Sequence, residues 1–209
     1  MNPGFQQRCG TALIAFTLLI AFTIVLHPTG GNIPYLIKIA PHIILAHSLA
    51  LLSLPFAAIG FWGLTRRIGS DNFLAISAFV ICCFGLVAVM FAGTTNGLIM
   101  PIFITRYQDA GPATLDALKP LISYTHAVNT AYDYIYTVAL CLAIFCWSVA
   151  ILRTGAFPRW TAWLGLTIPV IGGVGVLTAS SPASLLGLQI FVLCLISWTI
   201  AIGMIMRRS

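Results

Sequence analysis

Phe73-Leu-Ala-Ile-Ser-Ala-Phe-Val-Ile-Cys-Cys-Phe-Gly-Leu-Val-Ala-Val-Met-Phe-Ala-Gly-Thr-Thr-Asn96 runs for 24 residues without a charged side chain. A helix of about 20 apolar residues crosses the roughly 30 Å hydrocarbon layer of a bilayer. A run this apolar on every face has no polar side to turn toward water, so it reads as a membrane span. Five further stretches read the same way, and the six spans fall at residues 9–27, 41–64, 73–96, 122–152, 160–180 and 184–206. The fold class follows as all-α: a polytopic six-transmembrane-helix bundle, one integral membrane domain over residues 1–209. The first span resembles a signal peptide in place and length, but His27-Pro28-Thr29-Gly30-Gly31 offers no small-x-small cleavage site, so it reads as a span.

Composition excludes the alternatives. Of 209 residues, 60 % are hydrophobic and 7 % charged, where a soluble domain carries about 25 % charged residues. There is no Glu, and the only acids are Asp71, Asp109, Asp116 and Asp133. So few charges cannot solvate a globule of this size, and disorder needs low hydrophobicity and high charge. The net charge of +6 comes from single or paired basic residues at the ends of apolar segments. It forms no stripe that could follow a phosphate backbone, so no nucleic-acid partner is expected and the bilayer is the partner. Cys9, Cys82, Cys83, Cys141, Cys146 and Cys194 lie in or beside apolar segments without CxxC spacing, and read as small packing residues.

Lys and Arg set the orientation. With the N-terminus in the cytoplasm, the inner side carries Arg8, Arg66, Arg67, Arg153, Arg159, Arg207 and Arg208, and the outer side only Lys38, Arg106 and Lys119. Both termini are therefore expected in the cytoplasm. Trp62, Trp160 and Trp163 then sit at the inner interface, where they are expected to close the cytoplasmic mouth. Tyr35, Tyr107 and Tyr124 sit at the outer one. The inner turns are short: residues 66–72, and residues 153–159 with Gly155 as a helix stop and Pro158 opening the next helix. Ser181 reads as an N-cap in the tight outer loop between spans five and six. Residues 97–120 form the longest outer segment. Its apolar half, Leu98 to Ile104, reads as a bent or re-entrant continuation of span three, and residues 109–119 as a short interfacial helix. No separate extramembrane domain is expected.

The stretch from His126 through Ile151-Leu152-Arg153-Thr154-Gly155-Ala156-Phe157-Pro158-Arg159-Trp160 to Leu164-Gly165-Leu166 resembles a large family of uncharacterised bacterial multi-pass membrane proteins, a domain of unknown function. Its members share a His-containing polar outer half on one helix, a Leu-x-x-Ser/Thr-Gly-x-Phe/Leu-Pro-Arg turn and a following Leu-Gly-x-Leu. The match lies mainly over residues 121–166. It implies a bacterial inner-membrane protein of about six helices and carries no activity with it.

Counting each polar residue from the arginine at its own helix end gives a common depth. His27 lies 19 residues from Arg8, His47 lies 20 from Arg67, Asp133 lies 20 from Arg153, and Gln189 lies 18 from Arg207. Asn96 lies 23 residues beyond Phe73. At 1.5 Å per residue these five helices carry a polar layer about 27–35 Å from the inner face, with His42 and His126 slightly higher. On the fourth span His126, Asn129 and Asp133 share one helical face, and Tyr132, Tyr134 and Tyr136 surround it. Asp133 is the only acid inside a span. A buried carboxylate there costs roughly 2.5–3.5 kcal/mol, so it should meet water, a cation or a partner such as His47. The plain alternative is that His27 beside Pro28 and His42 beside Pro41 are headgroup-zone residues, and that Asn96 and Gln189 bond between helices.

Three chemistries fit this layer. One is a periplasm-facing pocket, lined by spans two, three and four, that binds a small molecule or amphiphile through His47, Asn96, His126, Asn129, Tyr132, Asp133 and Tyr136, in a transport or accessory role. Another is an intramembrane enzyme with a divalent metal on His47, His126 and Asp133, with His42 a further ligand. The last is a b-type haem held by His42 with His126, or by His27 with His47. No GxSxG, Walker, Rossmann or HExxH pattern selects an enzyme class, and nothing in the sequence sets an oligomeric state. Reporter fusions at residue 209 and in the 153–159 turn are expected to report cytoplasm; either one reporting the outside would overturn the orientation.

Overall fold

The structure is a computed structural model that describes residues 3–27, 31–177 and 183–208, with the side chains of residues 175–191 outside that description. All of its regular structure among the described residues is helical. The helices are α1 (Pro3–Leu26), α2 (Ile33–Lys38), α3 (Ala40–Ile68), α4 (Phe73–Thr94), α5 (Met100–Ile104), α6 (Pro112–Thr154), α7 (Arg159–Leu177) and α8 (Ala183–Arg207). Four helical stretches are long and apolar enough to cross a membrane: Pro3–Leu26, Ala40–Ile68, Phe73–Tyr107 and Pro112–Thr154; Val192–Arg207 is a shorter apolar stretch.

The helix ends follow local chemistry. Asn72 opens α4 by accepting a 3.0 Å bond from the Ala75 N–H, as an N-cap does. Gly155 ends α6 in the left-handed conformation at φ 67°, which glycine adopts without a Cβ clash. The proposed Ser181 cap lies outside the described residues. Pro55 and Pro169 sit inside α3 and α7, and neither helix is divided there.

One boundary selects between two sequence readings and another differs. The third span continues past Asn96, as its bent alternative had it, and does not turn back. It passes through a wide π turn, Thr95–Ile99, into α5 and a final 3-10 turn, Thr105–Tyr107. Pro101 gives the reason: its ring would strike the carbonyl of Gly97 in a regular helix, and a π turn widens the backbone there. Residues 112–119 are likewise the first turns of the fourth span, not a separate interfacial helix. At 43 residues α6 is about 64 Å long, twice the hydrocarbon thickness. The far ends of α3 and α6 join α2 and α5 in a small second core of Leu36, Ile43, Met100 and Ile104, with Phe103 and Ile122 against it.

The six long helices pack in a ring, α1 on α3, α3 on α4, α4 on α6, α6 on α7, α7 on α8, and α8 back on α1. Small residues set the closest approaches. A Cβ on Gly63 would overlap Cys9, and one on Gly10 would lie 2.6 Å from the Gly203 carbonyl oxygen, so α1 touches α3 and α8 nearly backbone to backbone.

A row of aromatic rings fills the ring of helices. Phe16 of α1 meets Phe61 of α3 at 6.0 Å, Phe61 stacks on Trp147 of α6 at 5.0 Å, and Trp147 stacks on Trp198 of α8 at 6.4 Å. Trp147 and Trp198 are fully buried. Their indole N–H groups are satisfied, Trp147 by the Thr65 hydroxyl at 2.9 Å and Trp198 by the Thr161 carbonyl at 3.0 Å. Thr17 of α1 donates to Thr199 of α8 at 2.9 Å beside them. Trp62, Trp160 and Trp163, expected to close this end, are instead 38 %, 54 % and 62 % exposed and point out of the bundle. Arg67 completes the seal. Its guanidinium donates to the carbonyls of Ala156 at 3.4 Å and Ile205 at 3.2 Å and lies 4.4 Å over the Phe157 ring, tying α3, the α6–α7 turn and α8 together.

Replacing Trp147 with Ala removes a ring stacked on both sides, and is expected to cost about 3–5 kcal/mol. Trp147→Phe keeps a six-membered ring in the stack and loses the pyrrole half with its N–H, a smaller loss of about 2 kcal/mol. Unfolding in mixed detergent micelles measures both; equal losses, or none, would contradict the stack as the core.

Candidate functional site

The polar layer separates into two groups. The first is built on α3. His47 is 8 % exposed, and its Nδ1 lies 2.9 Å from the Ile43 carbonyl oxygen. A carbonyl only accepts, so this contact keeps the proton on Nδ1 and leaves Nε2 as the acceptor. The ring lies against His27 at the end of α1, centroid to centroid 5.1 Å. It also lies against Gly97, where any Cβ would overlap it. The π turn thus brings α4 onto α3 at a glycine, with half-buried Asn96 next to it. One turn below, the Thr23 hydroxyl donates to Leu19 of its own helix at 2.9 Å and approaches the Ala46 carbonyl at 3.4 Å.

The second group is the outer half of α6. Asn129 Nδ2 donates to Asp133 Oδ2 at 2.6 Å, and Thr130 Oγ1 donates to the His126 carbonyl at 2.9 Å. His126 and Asp133 are exposed and Asn129 is half-buried. Tyr132 turns toward α4, its ring stacked on Phe91 at 5.6 Å. Half-buried Tyr136 lies a turn further down, its backbone carbonyl beside Gly85 of α4.

These contacts revise two expectations. The partner of Asp133 is Asn129 of its own helix, and the ring partner of His47 is His27, so the expected His47–Asp133 pair is not formed. The interval between His126 and Asp133, too long for direct bonding, is bridged from the Asp133 side by Asn129. Among the described residues no three His, Cys, Asp or Glu side chains come close enough to hold a metal together, so His47, His126 and Asp133 are not assembled into a ligand set. His42 is exposed at the start of α3. Two imidazoles in ring contact, as His27 and His47 are, leave no gap for a porphyrin plane between them. The side chain of Gln189 lies outside the described residues.

Sequence reasoning missed Gly97, Phe91 and Thr65. Gly97 carried a usable signal, four residues before Pro101 and opposite His47 in depth. Phe91 and Thr65 had none, since any apolar residue or threonine on these helices reads alike. A groove of about 720 Å³ lies at the opposite, arginine-rich end, lined by residues of α1, α3 and α8; the sequence reading placed its cavity only at the outer end. All six cysteines are free thiols, with Cys9, Cys82 and Cys141 buried.

No protein-family model matches this chain, and no curated protein or solved structure is significantly similar to it. The fold therefore defines the class alone: an all-helical protein with several helices apolar and long enough to cross a membrane.

Proposed function

We propose that this is a six-span protein of a bacterial inner membrane, with both termini cytoplasmic, that binds a small polar molecule or amphiphile headgroup at its periplasmic end. The anchors are Asp133, Asn129 and His126 on α6, with Tyr132 beside them and Asn96, His47 and Tyr136 lining the approach.

The observation that carries the proposal is the Asn129–Asp133 bond at 2.6 Å on an exposed helical face. Asp133 stands 20 residues above Arg153, about 30 Å, where the hydrocarbon ends and a carboxylate can keep its water. The amide occupies one carboxylate oxygen, orients the group and leaves the other oxygen to accept from a ligand. His126, a turn nearer the outside, offers a second polar contact. A binding or accessory role is favoured over a conducting pathway, because the buried row Phe16, Phe61, Trp147 and Trp198 fills the bundle beneath this layer.

Solvent extraction of the purified protein followed by mass spectrometry tests the reading. An organic ligand is expected to co-purify, and Asp133→Asn or His126→Ala should each lower its yield roughly tenfold, the value of one charged hydrogen bond. Unchanged yield in both variants, or stoichiometric zinc, copper or iron by elemental analysis, would overturn it.

A further inference from the structure

The groove at the arginine-rich end is distinct from the polar layer: on α1, Arg8 and His27 are 19 residues apart, about five helical turns. Its floor is α1, and its walls are α3 and α8. The floor is low because α1 presents small residues between larger neighbours. A Cβ on Gly10 would lie only 2.6–3.0 Å from the Gly203 carbonyl oxygen, the Met206 Cβ and the Arg207 backbone nitrogen, and in this close crossing Arg8 of α1 and Arg207 of α8 both line the groove.

The lining is ordered along the helix axis. Arg8 and Arg207 stand at the mouth with Gln7 and Thr11 beside them, and the wall beyond carries Phe56 and Ile59. Phe56 and Ile59 lie 11 and 8 residues above Arg67 on α3, about 12–16 Å from the arginine face. A charged and hydrogen-bonding zone followed by apolar surface matches a phospholipid read from headgroup to acyl chain. Both arginines are exposed, and the only ion pair among the described residues, Lys119–Asp116, is at the other end of the molecule. Of the four acids, only Asp71 shares the arginine end, in the turn between α3 and α4. Among the described lining residues no Asp or Glu accompanies these two guanidinium groups, which suits a headgroup with net negative charge, since a zwitterionic one carries its own cation into the same positive field.

We infer that this groove is a binding site for an anionic glycerophospholipid, its phosphate held between Arg8 and Arg207 and its acyl chain laid along α1 against Phe56 and Ile59. Native mass spectrometry of the full chain in neutral detergent tests this, with phosphatidylglycerol and phosphatidylcholine titrated separately. Phosphatidylglycerol should bind more tightly, and the double variant Arg8→Gln/Arg207→Gln should weaken it about thirtyfold, to the level of phosphatidylcholine. Arg153→Gln/Arg159→Gln removes the same charge from the same end of the protein and should leave binding unchanged. Excess inorganic phosphate should not displace the lipid. Equal binding of the two lipids, an unaffected Arg8/Arg207 variant, an equal loss in the Arg153/Arg159 variant, or displacement by inorganic phosphate would each overturn the assignment. All four arginines are exposed, so the variants should melt with the unsubstituted protein when no lipid is added.

Discussion

Two indole N–H groups in an apolar interior must find acceptors, and the way they do so organises this molecule. Leaving such a donor unpaired costs about 1–3 kcal/mol. Trp147 reaches across to Thr65 of α3, and Trp198 to the Thr161 carbonyl at the start of α7. Each bond fixes a ring, and each ring is stacked on the next, so the rotation of α1, α3, α6 and α8 about their own axes is set from the centre. Thr65 also approaches the Ala75 carbonyl of α4 at 3.4 Å, extending the same network to another helix. In a bilayer, apolar side chains gain little by leaving lipid for protein, so packing and a few directed hydrogen bonds decide which faces meet. Here both are concentrated in one half of the bundle.

The other half is built differently. Beyond about residue 138 on the way to its N-terminus, α6 has few buried side chains, and among its packing partners are α4 and the π turn Thr95–Ile99. A small cluster around Ile43, Met100 and Ile104 steadies the tips. Between this cap and the aromatic core lies the polar layer, where His47 is packed and tautomerically fixed while Asp133 and His126 remain exposed. One half of the bundle is thus filled by packed rings, and the other carries the polar groups.

The spans were legible in the sequence because a 24-residue uncharged run has one physical meaning, and four of the six begin and end within about six residues of the observed helices. Depth was legible as well, since the arginines provide a common origin: His27 and His47, counted to the same layer from separate helices, are in ring contact. Facing was not. Helices that are apolar on all sides carry no amphipathic signal, so nothing distinguished buried Trp147 from exposed Trp62, or assigned His47 to His27 in place of Asp133. The outer ends were misread for a related reason. Asp109, Asp116 and Lys119 look like a surface segment, yet a helix leaving the membrane needs no break where its composition changes. Glycine and proline gave mixed guidance: Gly155 stops α6 as its conformation requires, while Pro101 widens its helix without ending it.

The central claim is that one half of the bundle is closed by the aromatic row while the other stands open to water, and α6 crosses both. Hydrogen–deuterium exchange of the protein in lipid nanodiscs, followed by mass spectrometry over α6, tests that claim most directly. Peptides covering residues 139–152 should stay protected long after those covering residues 112–133 have exchanged. Equal protection along the whole helix, or faster exchange around Trp147 than around Asp133, would contradict the account.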